Sequence, residues 1–151
     1  MEFKKEVQKQ FKKAGWFEGR NIENKLNQKI KNFYNLPSHL KDFFKSYGDL
    51  VIEDNKPYKS DVINTLNTKS EFVKDNETNE LPFNGTFYKV GYFYPDHYLV
   101  YTDVNGAIYL IGDGYYKMND GFIAGIENII EDNWGNSLEW NPETKQWVEE
   151  Y

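Results

Sequence analysis

The chain has 151 residues, enough for one domain with a buried core, and it contains no cysteine. That excludes thiolate zinc sites, iron–sulfur clusters, cysteine nucleophiles and a disulfide scaffold, and with only His39 and His97 a multi-histidine metal centre is excluded as well. The formal charge of −6 argues against a nucleic-acid binder, and no apolar run approaches the roughly 18 residues that span a bilayer.

The first third reads as helices. Phe3, Val7, Phe11 and Ala14 form one apolar stripe with lysines off it, and Gly15 ends that helix. Ile22, Leu26, Ile30 and Phe33 predict a second helix that breaks at Asn35 to Pro37. Pro37 suits the first turn of a third helix with the apolar face Leu40, Phe43, Phe44 and Tyr47, closed by Gly48. Leu50, Val51 and Ile52 begin the first strand. The polar stretch 53–85 is too long for a bare loop, and Val62, Ile63, Leu66, Phe72 and Val73 suggest one or two short helices there.

The next block is β. Thr86 to Phe93 and His97 to Val104 are rich in Tyr, Phe and Val, which suit a pleated surface. Asn105-Gly106 then predicts a hairpin into Ala107 to Ile111, because both residues tolerate positive φ. Gly112-Asp113-Gly114 ends that strand, and Tyr115 to Met118 suggests another. Asp120 is placed to cap a helix in which Ile123, Ile126, Ile130 and Trp134 recur, with Gly135 after it. The tail from Leu138 to Tyr151 is either a terminal hairpin or a trailing segment. The expected fold is α+β, a single domain over residues 1–151: N-terminal helices on a mostly antiparallel β-sheet, with a C-terminal helix.

Catalytic patterns are weak. Ser38 and His39 are adjacent on a helix, where neighbouring side chains diverge, so they form no nucleophile–base pair. Asp96-His97 can orient a general base, but no nucleophile accompanies it. Asp103-x-Asn105-Gly106 lacks the further ligands of a calcium loop, and Gly112-Asp113-Gly114 is too short for a dinucleotide fingerprint. The chain reads as a non-enzyme with no catalytic residue, no metal and no cofactor.

Charge is more informative once divided. Residues 1–45 sum to +6 and residues 46–151 to −12. A negative, aromatic region steers basic partners. Aromatic abundance alone means less, because 17 Lys, 17 Asn and a single Arg match AT-rich codons, which make abundant Tyr, Asn and Ile partly a matter of codon supply.

One segment is more specific. Ala14-Gly15-Trp16-Phe17-Glu18-Gly19-Arg20 places an apolar plug between two glycines, beside a guanidinium able to bond carbonyls or stack on Trp16. With Leu36-Pro37-Ser38-His39-Leu40 through Tyr47-Gly48-Asp49-Leu50, it resembles the SUKH superfamily of bacterial immunity proteins, particularly the third SUKH immunity group. That group carries a Gly-Trp…Gly-Arg corner and a helix ending in aromatic-Gly-Gly-Leu, from which Asp49 departs. The run Val90-Gly91, Tyr98 to Tyr101, Asn105-Gly106 and Ile108-Tyr109 is also similar to the family's passage before its last helix. The likeness covers about residues 5–134; the stretch 54–85 and the tail 135–151 have no counterpart in it.

The resemblance implies an antitoxin that binds and neutralises a cognate bacterial polymorphic toxin, many such toxins being nucleases. The implied partner is a basic toxin domain, not nucleic acid or membrane, and the implied place is the cytoplasm; the opening MEFKKEVQKQF, with charges but no apolar core, is unlike a signal peptide. Gly15, Trp16, Gly19, Arg20 and Gly48 are carried over as scaffold residues. The partner surface is expected on the β-hairpins and acidic final helix, at Tyr94, Asp96, Tyr98, Asp103, Asp113, Tyr115, Tyr116, Glu131 and Asp132. Two alternatives are a regulatory scaffold for an endogenous protein and a small carbohydrate-active hydrolase using clustered carboxylates.

Overall fold

The helical third forms where its apolar spacing demands, and its helices stop where the backbone reverses. The computed structural model describes residues 1–54, 64–76 and 81–149. Helix α1 (Lys5–Ala14) buries Val7, Gln10 and Phe11, and Gly15 ends it at φ 118°. The Gly15 and Trp16 N–H groups return to the Lys12 and Phe11 carbonyls, the pattern that satisfies the last turn of a helix. Helix α2 (Glu23–Lys29) is shorter than its stripe: Ile30 is already extended and Phe33 sits in a single 3-10 turn, Phe33–Asn35. Asn32 takes positive φ, and the Lys31 N–H bonds the Lys74 carbonyl, so a tertiary contact replaces the next helical turn. Helix α3 (Ser38–Tyr47) follows Pro37 and buries Leu40, Phe43, Phe44 and Tyr47.

Among the described residues, eight strands form one antiparallel sheet in chain order: β1 (Val51–Glu53), β2 (Thr65–Asn67), β3 (Tyr88–Tyr94), β4 (Tyr98–Thr102), β5 (Ile108–Ile111), β6 (Tyr115–Met118), β7 (Leu138–Asn141) and β8 (Gln146–Glu149). Helix α4 (Ser70–Val73) precedes β3, and α5 (Phe122–Ile130) lies between β6 and β7. The fold is α+β, as the composition of elements indicates.

Several boundaries differ from expectation. Leu66 lies in β2 rather than a helix, paired with Ile52 and Phe93, because its neighbours alternate around one buried position. Phe72 and Val73 do lie in a short helix, whereas Val62 and Ile63 lie outside the described residues. Asp120 does not cap α5: Gly121 occupies that position at φ 99°, and the Asp120 carboxylate accepts from Asn128 instead. The turn before β5 spans Asp103 to Ala107 with only Gly106 at positive φ, held by the Asp103 carboxylate. The tail is a hairpin.

Both faces of the sheet are buried, by different partners. Val90, Phe93, Val100, Ile108, Leu110 and Met118 pack one face against α1, α3 and α5. Tyr101 and Tyr109 point oppositely, under Phe83, Phe87, Trp140 and Trp147.

The Gly-Trp…Arg corner grips the end of α3. Trp16 stacks on Tyr47 at 5.6 Å and donates from Nε1 to Ser46 Oγ at 2.8 Å; the Arg20 guanidinium donates to the Ser46 carbonyl at 2.7 Å. That carbonyl is one of the last in the helix, which the helix itself leaves without a partner. Beyond it, a Cβ on Gly48 would sit 2.6 Å from the Phe44 carbonyl oxygen, and Asp49 has φ 59°. The first position therefore has no room for a side chain, and the second needs left-handed backbone that a glycine takes freely. Asp49 holds it with ion pairs to Lys25 and Lys69.

Arg20→Ala should lower stability by about 2 kcal/mol in urea unfolding, since it strands a half-buried carbonyl and removes a charged hydrogen bond. Burial tends to raise the Asp49 carboxyl pKa, but Lys25, Lys69 and Lys29 outweigh it and hold it below the ordinary 3.8. A carboxyl lowered in the folded state stabilises above its unfolded pKa and loses that contribution as pH falls through the folded one. Asp49→Asn, which keeps the left-handed backbone, should therefore cost about 1 kcal/mol at neutral pH. The difference should shrink to nothing as pH falls below 3.8, which pH-dependent urea midpoints would measure.

Candidate partner interface

Strand direction decides which turns lie together. In an antiparallel meander, alternate connections fall at the same end. The β3–β4 turn at residues 95–97 therefore shares an end with the β5–β6 turn at 112–114 and the β7–β8 turn at 142–145. These turns carry Asp96, Asp113 and Glu143 against the cation Lys145. Asp103, on the β4–β5 turn, lies at the far end.

Beside this acidic end, on the helix-facing side, is a depression of about 250 Å³ lined by Asp96, Tyr98, Leu110, Tyr116, Trp134 and Ser137. Leu110 is buried and forms its floor. The rings of Tyr98 and Tyr116 meet edge to face at 5.7 Å. They fit because two positions of the turn beside them carry no side chain: a Cβ on Gly112 would come within 2.5 Å of the Tyr98 ring, and one on Gly114 within 3.0 Å of the Tyr116 hydroxyl.

The third wall, Trp134, depends on how α5 ends. Asp132 takes φ 56°, its N–H bonds the Ile129 carbonyl, and the Asn133 N–H bonds the Asn128 carbonyl. That reversal stops the helix at Ile130, so Trp134 leaves the helical stripe it was expected to join and Gly135 falls beyond the true end. The Trp134 ring packs on Phe93 at 5.6 Å, and its Nε1 donates to the Asp132 carboxylate.

The structure thus divides the nine expected partner residues. Tyr94, Asp96, Tyr98, Asp113 and Tyr116 share one end of the sheet, with Asp132 behind Trp134. Tyr94 is exposed and its ring lies 5.5 Å from that of His97. Asp103 is engaged inside its own turn, accepting from the Asn105 and Ala107 N–H groups and from the Tyr109 hydroxyl at 2.9 Å. Tyr115 points to the other face, 6.1 Å from Phe83. Glu131 pairs with Lys4, whose pKa that contact raises, and the Glu127 carboxylate accepts the Lys4 N–H. Sequence reasoning missed Trp134, Ser137 and Glu139. Trp134 fits a helical stripe too well, and Glu139 is placed beside Tyr116 only by the β6–β7 pairing.

The isolated histidines have local partners. His39 Nε2 lies 3.1 Å from Thr102 Oγ1 and its ring meets Phe122; burial pushes its pKa down. His97 approaches the Tyr92 hydroxyl. No described helix is long and apolar enough to cross a membrane.

The family model described as SUKH-3 immunity protein matches residues 3–132. The chain belongs to the SUKH-3 immunity protein family. No curated protein and no solved structure matches it. The SUKH-3 match takes in the Gly-Trp…Arg corner, the Tyr47-Gly48-Asp49-Leu50 turn and strands β1 to β6, together with Asp96, Tyr98, Leu110 and Tyr116. Trp134, Ser137 and the β7–β8 hairpin lie beyond its end, so the depression sits at the seam between the SUKH-3 stretch and the segment that follows.

Gly112→Ala should displace the Tyr98 ring and cost about 1–3 kcal/mol, the range for forcing atoms into a packed site. Chemical shifts of the Tyr98 ring protons, with a urea midpoint, would report both effects.

Proposed function

We propose that this SUKH-3 protein is an antitoxin that occludes a basic toxin domain, a nuclease in particular, with the acidic, aromatic end of its sheet. The single observation behind this reading is convergence. Asp96, Asp113, Tyr98 and Tyr116 are scattered over 21 positions of sequence, yet strand direction gathers them beside Trp134 and Glu143. Large rigid rings desolvate a contact at small entropic cost, while carboxylates at the rim bond lysine or arginine. The +6 of residues 1–45 and the −12 of the remainder give the molecule unlike regions. At physiological salt such regions act separately beyond about 8 Å. A basic cleft would thus be steered to the turn end rather than to α1.

On this reading the 151 residues work as one binding unit, in the cytoplasm, without catalysis or a cofactor. The Gly15, Trp16, Gly19, Arg20 and Gly48 corner serves as scaffold: its contacts are directed at the end of α3, away from the turn end.

Co-expression with a toxin domain encoded in a neighbouring gene should restore growth and yield a complex. Asp96→Lys combined with Asp113→Lys should slow association by at least about tenfold at low salt and flatten its salt dependence. If the wild-type chain neither binds nor protects, the reading is wrong. If it protects and the double variant associates at an unchanged rate, the partner surface lies elsewhere.

A further inference from the structure

We propose that the depression between Tyr98, Tyr116 and Trp134 is a guanidinium site that receives one arginine side chain of the partner. The inference rests on the partner reading above and makes it specific to one functional group.

The walls have the chemistry a planar cation needs. Three rings surround the depression, and a cation over an aromatic face is attracted by the ring's quadrupole, arginine more often than lysine. Asp96 lines the mouth, where its carboxylate can accept two parallel N–H bonds from a guanidinium, a geometry that an ammonium cannot match. Asp132 adds negative charge behind Trp134, to whose Nε1 it is bonded. The volume of about 250 Å³ is several times the roughly 30 Å³ that a liquid water occupies, so an extended side chain fits.

The rings are also held in place before any ligand arrives. Trp134 is held by the Phe93 ring packed against it and by the Asp132 carboxylate that accepts from its Nε1. Tyr98 and Tyr116 lie over the side-chain-free Gly112 and Gly114. A preorganised pocket loses little entropy on binding, so even a single amino-acid side chain should register.

The test needs no toxin. The indole Nε1–H resonance of Trp134, assigned by its disappearance in Trp134→Phe, is followed by NMR as N-acetyl-arginine amide is added. Its citrulline counterpart keeps the shape without the charge. The arginine compound should shift the resonance with a dissociation constant of order 1–10 mM, equivalent to about 3–4 kcal/mol. Citrulline should bind at least fivefold more weakly, and so should arginine to Asp96→Asn. Gly112→Ala, which moves the Tyr98 ring, should weaken arginine binding while the protein stays folded. Equal binding of citrulline, tighter binding of N-acetyl-lysine amide, or an unmoved Trp134 at about 50 mM arginine, roughly fivefold above that range, would each overturn the assignment. The failures separate cleanly. An unmoved Trp134 with a neutralised toxin removes the guanidinium site and keeps the antitoxin. Arginine binding without any toxin complex does the reverse.

Discussion

An eight-stranded antiparallel sheet has two apolar faces and more width than three helices can cover, and most of this structure follows from how that surplus is buried. Helices α1, α3 and α5 pack on one face of the sheet. The opposite face is closed by Phe83 and Phe87 from the segment before β3 and by Trp140 and Trp147 from the terminal hairpin. The helix-facing side of β7 and β8 gains no such cover: Val148 remains exposed, and Glu139 stands beside Tyr116. Where the helical layer gives out, the sheet leaves a depression with aromatic walls. The candidate interface is thus set by the mismatch between sheet and helices.

The helical layer in turn depends on how α3 ends. Its last carbonyls must find donors, and they find Arg20, Thr68 and the Gly48 N–H. Thr68 also accepts the Leu50 N–H, so one buried hydroxyl ties the helix end to β1. This explains a pattern that sequence alone states without reason. The aromatic-Gly-Gly-Leu turn has one position with no space for a side chain and one with left-handed backbone, and only the second tolerates an aspartate. Asp49 occupies that second position and turns its conformational cost into a site for two lysines.

Much of the fold was legible because its signals are local. Amphipathic spacing marked α1 and α3, Gly15 and Gly48 marked their ends, and Tyr- and Val-rich runs with Asn105-Gly106 marked the central hairpins. The illegible parts were decided by distant contacts. Ile30 and Phe33 carry a helical stripe, yet Lys74 captures the Lys31 N–H and the helix stops. Leu66 joined a strand because β1 and β3 flank it. Of the candidate site, the carboxylates on turns and two tyrosines could be found from composition and strand pattern. Trp134 could not, because helical spacing accounted for it; only the left-handed Asp132 turns it out toward Tyr98 and Tyr116. Asp103 has the position on a β-hairpin that suggests a partner contact, but its carboxylate holds its own turn together.

The net charge of −6 combines +6 over residues 1–45 with −12 over the remainder. The lysines of α1 lie by the β1 edge, while Asp96, Asp113 and Glu143 gather on three turns at one end of the sheet. Hydrogen exchange on a complex with a cognate toxin domain is the decisive measurement. Slowed exchange is expected at residues 94–98, 112–116 and 132–137, with α1 unchanged. Protection confined to α1 and α2, with those three segments exchanging as in the free protein, would contradict it.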